Sequence, residues 1–309
     1  MASNIYFSNC PFCSATYLGK KEEYEDFCQC KVCKKSFTIG KEFLEGKINY
    51  FELLPVIEGE SFVKDGYTVE NGVLTSAVID TDTVEIPKGV VIIGREVFKD
   101  NAKIKKVIMP DSVLYIGVCA FENCSGLREV SLPKNLLSIG AGAFCKCRRL
   151  TKINIPQTLK YIGGSAFHEC DNVTDLDIPV DMDYVGGGLY RFCKKLKKAV
   201  IPSYPRIDLL SWFSDLNSLE EIVVGKYVNS TMEFPIDKIK SIKFINTEGW
   251  TISKGYNEDP IPVPPSELEN PKKAAQYLYK LSKNKKYIEN HSQPTEIFDF
   301  DFIKIKDNT

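Results

Sequence analysis

The sequence repeats every 23 residues between Pro87 and about Val224, and this period constrains the fold more than any other feature. Prolines mark the period: Pro87, Pro110, Pro133, Pro156, Pro179 and Pro202. A fixed period of this length is typical of a solenoid, in which each repeat buries its apolar face only against neighbouring repeats. The period therefore predicts the fold well, whereas it names no specific activity.

The repeats share a template when they are aligned on their prolines. A glycine stands seven residues after each of the first five prolines, and an aromatic residue stands at position 11 of all six repeats: Phe98, Phe121, Phe144, Phe167, Tyr190 and Phe213. Apolar residues recur at positions 17, 20 and 22. Positions 20 and 22 point to the same face of a strand, so a short strand is predicted before each proline. Between the glycine and the aromatic residue we predict a tight helical or 3₁₀ turn on the opposite side.

This template is most regular between Met109 and Ile178, and it resembles the BspA-like leucine-rich repeats. The segment YTVENGVL at residues 67–74 also resembles that family, and its Asn-Gly pair between apolar runs predicts a hairpin that caps the array. The resemblance covers about half of the chain. It implies an α/β solenoid, a right-handed leucine-rich repeat array with a parallel sheet on its concave side, that binds other macromolecules.

Composition divides the chain into five parts. They are residues 1–45, a cysteine-rich module; 46–66, a connection; 67–250, the solenoid with its caps; 251–270, a proline-rich linker; and 271–309, a C-terminal helix and strand. Asn270 and Pro271 predict the N-cap and first residue of a helix that runs to about Lys283. The alternation of phenylalanine and aspartate after Phe298 predicts the strand.

Two C-x-x-C pairs lie in the cysteine-rich module: Cys10 and Cys13, then Cys30 and Cys33. Two residues between thiolates let both sulfurs reach one tetrahedral ion, and the segment resembles a zinc ribbon. We therefore predict structural Zn²⁺, because so short a module buries too little apolar surface to fold alone. Cys28 is an alternative ligand to Cys30 because of its C-x-C spacing, and we keep Cys30 as the predicted ligand. A redox pair and unmetallated thiols are the alternatives, although no βαβ pattern surrounds the cysteines.

Another four cysteines occupy position 14 of successive repeats: Cys124, Cys147, Cys170 and Cys193. The first repeat has Asn101 at this position and the last has Leu216. Stacked strands are about 4.8 Å apart. We therefore predict a buried row of thiols rather than a chelate.

Charged residues of alternating sign occupy position 19: Lys106, Glu129, Lys152, Asp175, Lys198 and Glu221. Opposite charges on adjacent strands attract, so the row is interpreted first as fixing the register between repeats, and second as a recognition surface. The repeat becomes irregular after Pro202, where Tyr204 and Trp212 are candidate anchors for a protein partner.

The formal net charge of −1 gives the chain no general attraction to nucleic acid or anionic membrane. The N-terminus shows no secretory signal and no apolar run is long enough to span a bilayer, so we expect a cytoplasmic protein without membrane contact. No catalytic constellation is evident. We predict a non-enzymatic protein–protein interaction scaffold with a zinc head, a protein partner and no small-molecule substrate.

Two alternatives stay open. The first is an RNA- or DNA-associated protein that uses the zinc ribbon and the lysine-rich C-terminal helix, between Lys272 and Lys286. The second is an adhesion-type surface protein exported by a non-classical route, because members of the family that it resembles are commonly exported.

Overall fold

The computed structural model describes residues 60–70, 72–182, 184–203, 216–226, 238–253 and 261–283, with short strands outside these ranges. The repeats form a β-solenoid in which successive repeats stack through parallel strands. This confirms the predicted solenoid. The fold is richer in strands than the predicted α/β class, because a second parallel sheet, and not helices, lies opposite the first.

The first sheet, sheet I, contains the strands that precede the prolines. Its two parts are the strands Thr83–Glu85, Lys106–Ile108, Glu129–Ser131 and Lys152–Ile153, then Lys198–Ile201, Glu221–Val224 and Ser241–Phe244. An isolated parallel bridge joins Asp175 to Lys198. The position 20 residues, among them Val107 and Val130, are buried in the core, as the repeat pattern predicts.

A second sheet, sheet II, was not predicted. Its parallel strands follow the prolines: Ile92–Ile93, Tyr115–Ile116, Ser138–Ile139, Tyr161–Ile162 and Tyr184–Val185. The N-terminal cap continues this sheet through Val73–Ala77, Tyr67–Glu70 and Phe62–Lys64, which pair antiparallel with one another. The predicted hairpin at residues 67–74 is therefore confirmed, with Gly72 at φ 75° in its turn.

The segment between the glycine and the aromatic residue is a turn that also bonds to the next repeat. Phe98 N donates to Ala120 O at 2.8 Å, and Phe121 N donates to Ala143 O at 2.8 Å. Residues 72–182 and 184–203 contain no helix. The predicted tight turn is present, since Ala120 N donates to Gly117 O at 3.3 Å and Ala143 N donates to Gly140 O at 3.2 Å, three residues apart as in a 3₁₀ turn. It does not extend into a helix, because other backbone groups of the segment are paired with the next repeat.

The glycines at position 7 allow this close stacking. A Cβ added to Gly163 would lie 2.2 Å from the backbone nitrogen of Ala141 in the preceding repeat. No side chain fits there, so the repeat requires glycine for reasons of packing alone.

Rings and thiols fill the centre of the array. Phe98, Phe121, Phe144 and Phe167 are buried and stack in parallel, with ring centroids 4.9, 5.3 and 5.6 Å apart. Each position 14 cysteine donates its thiol to a phenylalanine carbonyl of the preceding repeat; Cys147 Sγ, for example, lies 3.1 Å from Phe121 O. The buried thiol row is therefore confirmed, and it satisfies backbone acceptors as well as filling space.

The C-terminal end of the array is covered by the chain that follows it. Helix Pro265–Leu268 and helix Pro271–Lys283 come after the last strand of sheet I, and Asn270 Oδ1 accepts hydrogen bonds from Lys272 N and Lys273 N, both at 3.1 Å. Val263, Leu268, Ala274 and Ala275 are buried in the same cluster as the repeats. This part of the chain differs from the spacer that its prolines predict, since apolar side chains between and after the prolines bury against the last repeat.

A small four-stranded sheet accompanies this end: Asn229–Met232, Phe300–Lys304, Trp250–Ser253 and Ile261–Pro262. Strand Phe300–Lys304 runs antiparallel to both of its neighbours. Near the N-terminus, Asn4–Asn9 pairs antiparallel with Thr16–Lys20 and with Leu54–Pro55, and Cys28–Gln29 pairs with Ser36–Phe37.

Candidate interaction surface

The outer face of sheet I carries the alternating charged row. The sheet register aligns Lys106 with Glu129 and Glu129 with Lys152, and it aligns Lys198 with Glu221. Because residues at position 20 point into the core, positions 19 and 21 face outward. The structure therefore brings together the six charged residues that sequence alignment placed in one row.

Ion pairs connect neighbouring repeats along this face. Lys106 Nζ lies 3.6 Å from Glu129 Oε1 in the same row. Lys198 Nζ instead lies 2.7 Å from Oδ1 of Asp177, which occupies position 21. Similar pairs occur beside the row, such as Lys105 with Asp82 at 3.2 Å. Each exposed pair is worth about 0 to 1 kcal/mol. Each of these pairs joins neighbouring repeats, which favours the interpretation that the charged row fixes the register between repeats.

Exposed polar residues occupy the outer face in the middle of sheet I. Lys152 and Asp175 at position 19 are exposed, and so are Ser131, Asn154 and Asp177 at position 21. By contrast, Val200 at position 21 of the next repeat is buried. These five exposed residues, here called the exposed polar group, lie in the second, third and fourth repeats.

Several predicted site residues lie outside the described residues. They are Tyr204 and Trp212 in the irregular last repeat, and the cysteines Cys10, Cys13, Cys30 and Cys33. Cys28 lies in the strand Cys28–Gln29. The roles predicted for these six residues, and the metal role of Cys28, stay predictions.

A polar cluster on the turn side of the array was missed by sequence analysis. Cys145 Sγ lies 3.5 Å from His168 Nδ1, and the same nitrogen lies 3.8 Å from Glu169 Oε1. The side chain of His168 is 20% exposed and lies against Cys145 and the Phe192 ring. The signal was available, since Cys145 and His168 occupy position 12 of consecutive repeats.

Burial determines the protonation of this cluster. It raises the pKa of the Cys145 thiol to about 11, and it lowers the pKa of His168. A thiol with so high a pKa is protonated near neutral pH and is a poor nucleophile. In a catalytic arrangement, an acid binds one ring nitrogen of a histidine and the thiol binds the other. Cys145 and Glu169 instead approach the same nitrogen of His168, so the cluster does not have this arrangement.

The part of the chain that the structure describes has neither a metal-binding cluster nor a membrane-spanning helix. No group of three or more His, Cys, Asp or Glu side chains there is arranged to hold a metal ion. None of its helices has the length and apolar character needed to cross a membrane.

Solved leucine-rich repeat structures are similar to this one. The leucine-rich repeat protein of T. pallidum (TpLRR) has 25% sequence identity and a TM-score of 0.50, over 55% of this chain and 86% of that one. A leucine-rich cell surface protein of Faecalibacterium prausnitzii A2-165 has 21% identity and a TM-score of 0.48, over 69% of this chain and 62% of that one. No curated protein matches the sequence.

The stacked parallel strands define a β-solenoid repeat protein. Its sequence matches the BspA type leucine-rich repeat region in six copies, over residues 91–208 and 120–249, which together span about half of the chain. The protein belongs to the BspA-type leucine-rich repeat family, as its repeat template predicts.

Proposed function

We propose that this protein is a non-enzymatic scaffold that binds a protein partner through the outer face of sheet I. The observation that carries the proposal is the exposed polar group of the central repeats, which includes Lys152, Asp175, Asn154 and Asp177. Lys152 lies in the strand Lys152–Ile153, which pairs with Glu129–Ser131, and Asp175 is bridged to Lys198. These backbone pairings to neighbouring repeats order the surface before a partner arrives. A preordered surface loses little conformational entropy on binding.

The test uses the full chain purified from its own cells, with quantification of the proteins that accompany it. A partner in fixed ratio is expected with the native sequence. The double variant Asn154→Arg, Asp177→Arg should lose it, because it changes charge and volume at the centre of the proposed surface.

A matched control places the same changes elsewhere. Gln157→Arg with Asp181→Arg introduces the same charge at exposed residues outside sheet I, so the partner should be retained. Equal retention by both double variants would contradict a binding site on sheet I. Loss on Trp212→Ala instead would move the site to the irregular last repeat.

We further propose that the N-terminal module holds structural zinc through Cys10, Cys13, Cys30 and Cys33. The support is the chain order: each C-x-x-C pair lies between two strands that pair antiparallel with each other. A connection between two antiparallel strands keeps the two cysteines of a pair close together, and this helps each pair to supply two thiolates to one ion. In this proposal zinc stabilises the module and takes part in no reaction.

Metal analysis of the full chain, purified without added metal, tests the zinc proposal. About one equivalent of zinc is expected, and Cys33→Ser should lower it. Cys119→Ser is the control, since Cys119 is a half-buried thiol of the array. Less than about half an equivalent in the native chain would overturn the proposal. Retention by Cys30→Ser but not by Cys28→Ser would assign the ligand role to Cys28.

We also propose a cytoplasmic location. Its support is chemical: the described cysteines of the array are all free thiols, and free thiols persist in reducing compartments. Fractionation of the native cells tests this, and recovery of the protein at the cell surface would favour the adhesion alternative.

A further inference from the structure

The outer face of sheet II carries a small apolar cluster that is separate from the core of the array. It consists of Val73, Val91, Ile92, Leu114, Tyr115 and Leu137, here called the outer stripe. Ile93 and Ile116, the next residues along the same strands, belong to the main core. Because neighbouring residues of a strand point to opposite faces, Ile92 and Tyr115 point away from the core.

These outward residues are nevertheless buried. Ile92 is 4% exposed and Tyr115 is 7% exposed. The other members of their cluster come from four neighbouring rungs of the same sheet and not from a second layer. A side chain on the outer face of a sheet reaches such burial when another layer covers it. Some segment of the molecule therefore lies over the outer stripe.

Chain length identifies which segment is near enough. Gly72 N donates to Glu60 O at 3.1 Å, and Ile92 N donates to Gly72 O at 3.1 Å, so residue 60 lies at the first rung of the outer stripe. Pro55 ends a strand only five residues before Glu60. Five residues span at most about 18 Å. The N-terminal strands are thus held next to the outer stripe by a short connection.

The N-terminal strands also need a partner of this kind. Asn4–Asn9 lies between Thr16–Lys20 and Leu54–Pro55, and the register aligns Phe7 with Leu18 and Ile5 with Leu54. These apolar residues occupy neighbouring positions of one small sheet. A three-stranded sheet of this length is stable when its apolar face packs against another layer.

We propose that the three-stranded N-terminal sheet packs face to face on the outer stripe of sheet II. Two sheets packed in this way are about 10 Å apart, a distance that the short connection allows. The cysteine-rich module is then fixed to the side of the array and is not a tethered head. The surface that it covers is withdrawn from partners, which leaves the outer face of sheet I for binding. The proposal depends neither on zinc nor on the identity of the partner.

Photo-crosslinking in the full chain tests the contact. The crosslinking residue p-benzoylphenylalanine replaces Tyr115, and in a control it replaces Asn154, which is exposed on the outer face of sheet I. Mixed isotopically heavy and light chains distinguish contacts within one chain from contacts between copies. Crosslinks from position 115 to residues 4–20 or 54–55 of the same chain are expected. Crosslinks to other segments, crosslinks between heavy and light chains, or none above the control would overturn the proposal.

A pair of point variants tests the same contact through protease access. Leu114→Glu places a charge in the outer stripe and should increase the rate of tryptic cleavage after Lys20 in the full chain by about tenfold, because the N-terminal sheet detaches more often. Asn154→Glu makes a similar change on the exposed face of sheet I and should leave the rate unchanged. Equal rates in the two variants would overturn the proposal. Should Leu114→Glu unfold the array, the crosslinks from position 115 decide.

Discussion

At the scale of single residues, the array is specified by side chains that serve the neighbouring repeat. Cys147 Sγ donates to Phe121 O of the preceding repeat. Cys124, Cys170 and Cys193 each donate in the same way to a phenylalanine carbonyl of the repeat before their own. The spacing of the cysteines predicts that they are buried. It did not reveal the carbonyl acceptors, because a hydrogen bond between repeats depends on how closely the backbones approach.

Removing one of these thiols should destabilise the array. Cys147→Ala leaves a small cavity and deprives the Phe121 carbonyl of a donor, so the free energy of unfolding should fall by about 1 to 3 kcal/mol. Urea unfolding followed by circular dichroism measures the change. Ser131→Ala, at an exposed position of sheet I, is the control and should have little effect. An effect of Cys147→Ala no larger than the control would contradict the structural role of the thiol.

The partly buried imidazole of His168 should make stability depend on pH. Burial lowers its pKa, so the folded protein binds fewer protons than the unfolded chain as the pH falls through about 6.5. Acidification from about pH 7 to pH 5 should therefore lower the free energy of unfolding less in His168→Asn than in the native chain.

The protein contains only one other histidine, His291, so the control is simple. His291→Asn removes one imidazole at a position remote in sequence from the array. Urea unfolding at several pH values gives the slope for each chain. If His291→Asn reduced the slope as much as His168→Asn, the partly buried imidazole would not be its source.

At the scale of elements, local sequence signals predict strands and caps but not every sheet. The apolar positions before each proline predicted sheet I, and Asn71-Gly72 predicted the N-terminal hairpin. Sheet II strands after the prolines are only two residues long, as in Tyr115–Ile116, so they are too short to show an alternating pattern. They exist because the repeats stack, which pairs their backbones regardless of side-chain alternation.

The C-terminal helix depends on its cap. Asn270→Ala removes the acceptor for Lys272 N and Lys273 N, so the helix should be less stable by about 1 kcal/mol. Hydrogen exchange at the amides of Ala274 and Ala275 should accelerate accordingly. Asn270→Asp keeps an acceptor oxygen and should exchange nearly as the native chain does. Equal acceleration in both variants would show that the cap is not responsible.

At the scale of the whole molecule, the array and its C-terminal cover behave as one core. Leu268 and the two buried alanines of the last helix belong to the same hydrophobic cluster as the repeats. A solenoid exposes its last apolar layer unless a further segment covers it. Residues 261–283 provide that cover, although the prolines among them predicted a linker.

This cover should contribute to the stability of the array. Leu268→Ala should lower the free energy of unfolding by about 2 to 5 kcal/mol, because it removes a fully buried side chain between the last repeat and the helix. Circular dichroism during urea unfolding measures this loss. Ser266→Ala, exposed two residues earlier, should have little effect. Equal stability of the two variants would favour the spacer interpretation.

The sequence by itself determined the repeat length, the strand before each proline, the buried thiol row and the alternating charges, and hence the family. These features recur at fixed positions, so each repeat predicts the environment of the next. Only the tertiary structure decided that a second sheet forms and that an outward apolar stripe is buried. Each of these depends on contacts between backbones or layers, and such contacts leave no periodic pattern within a single strand.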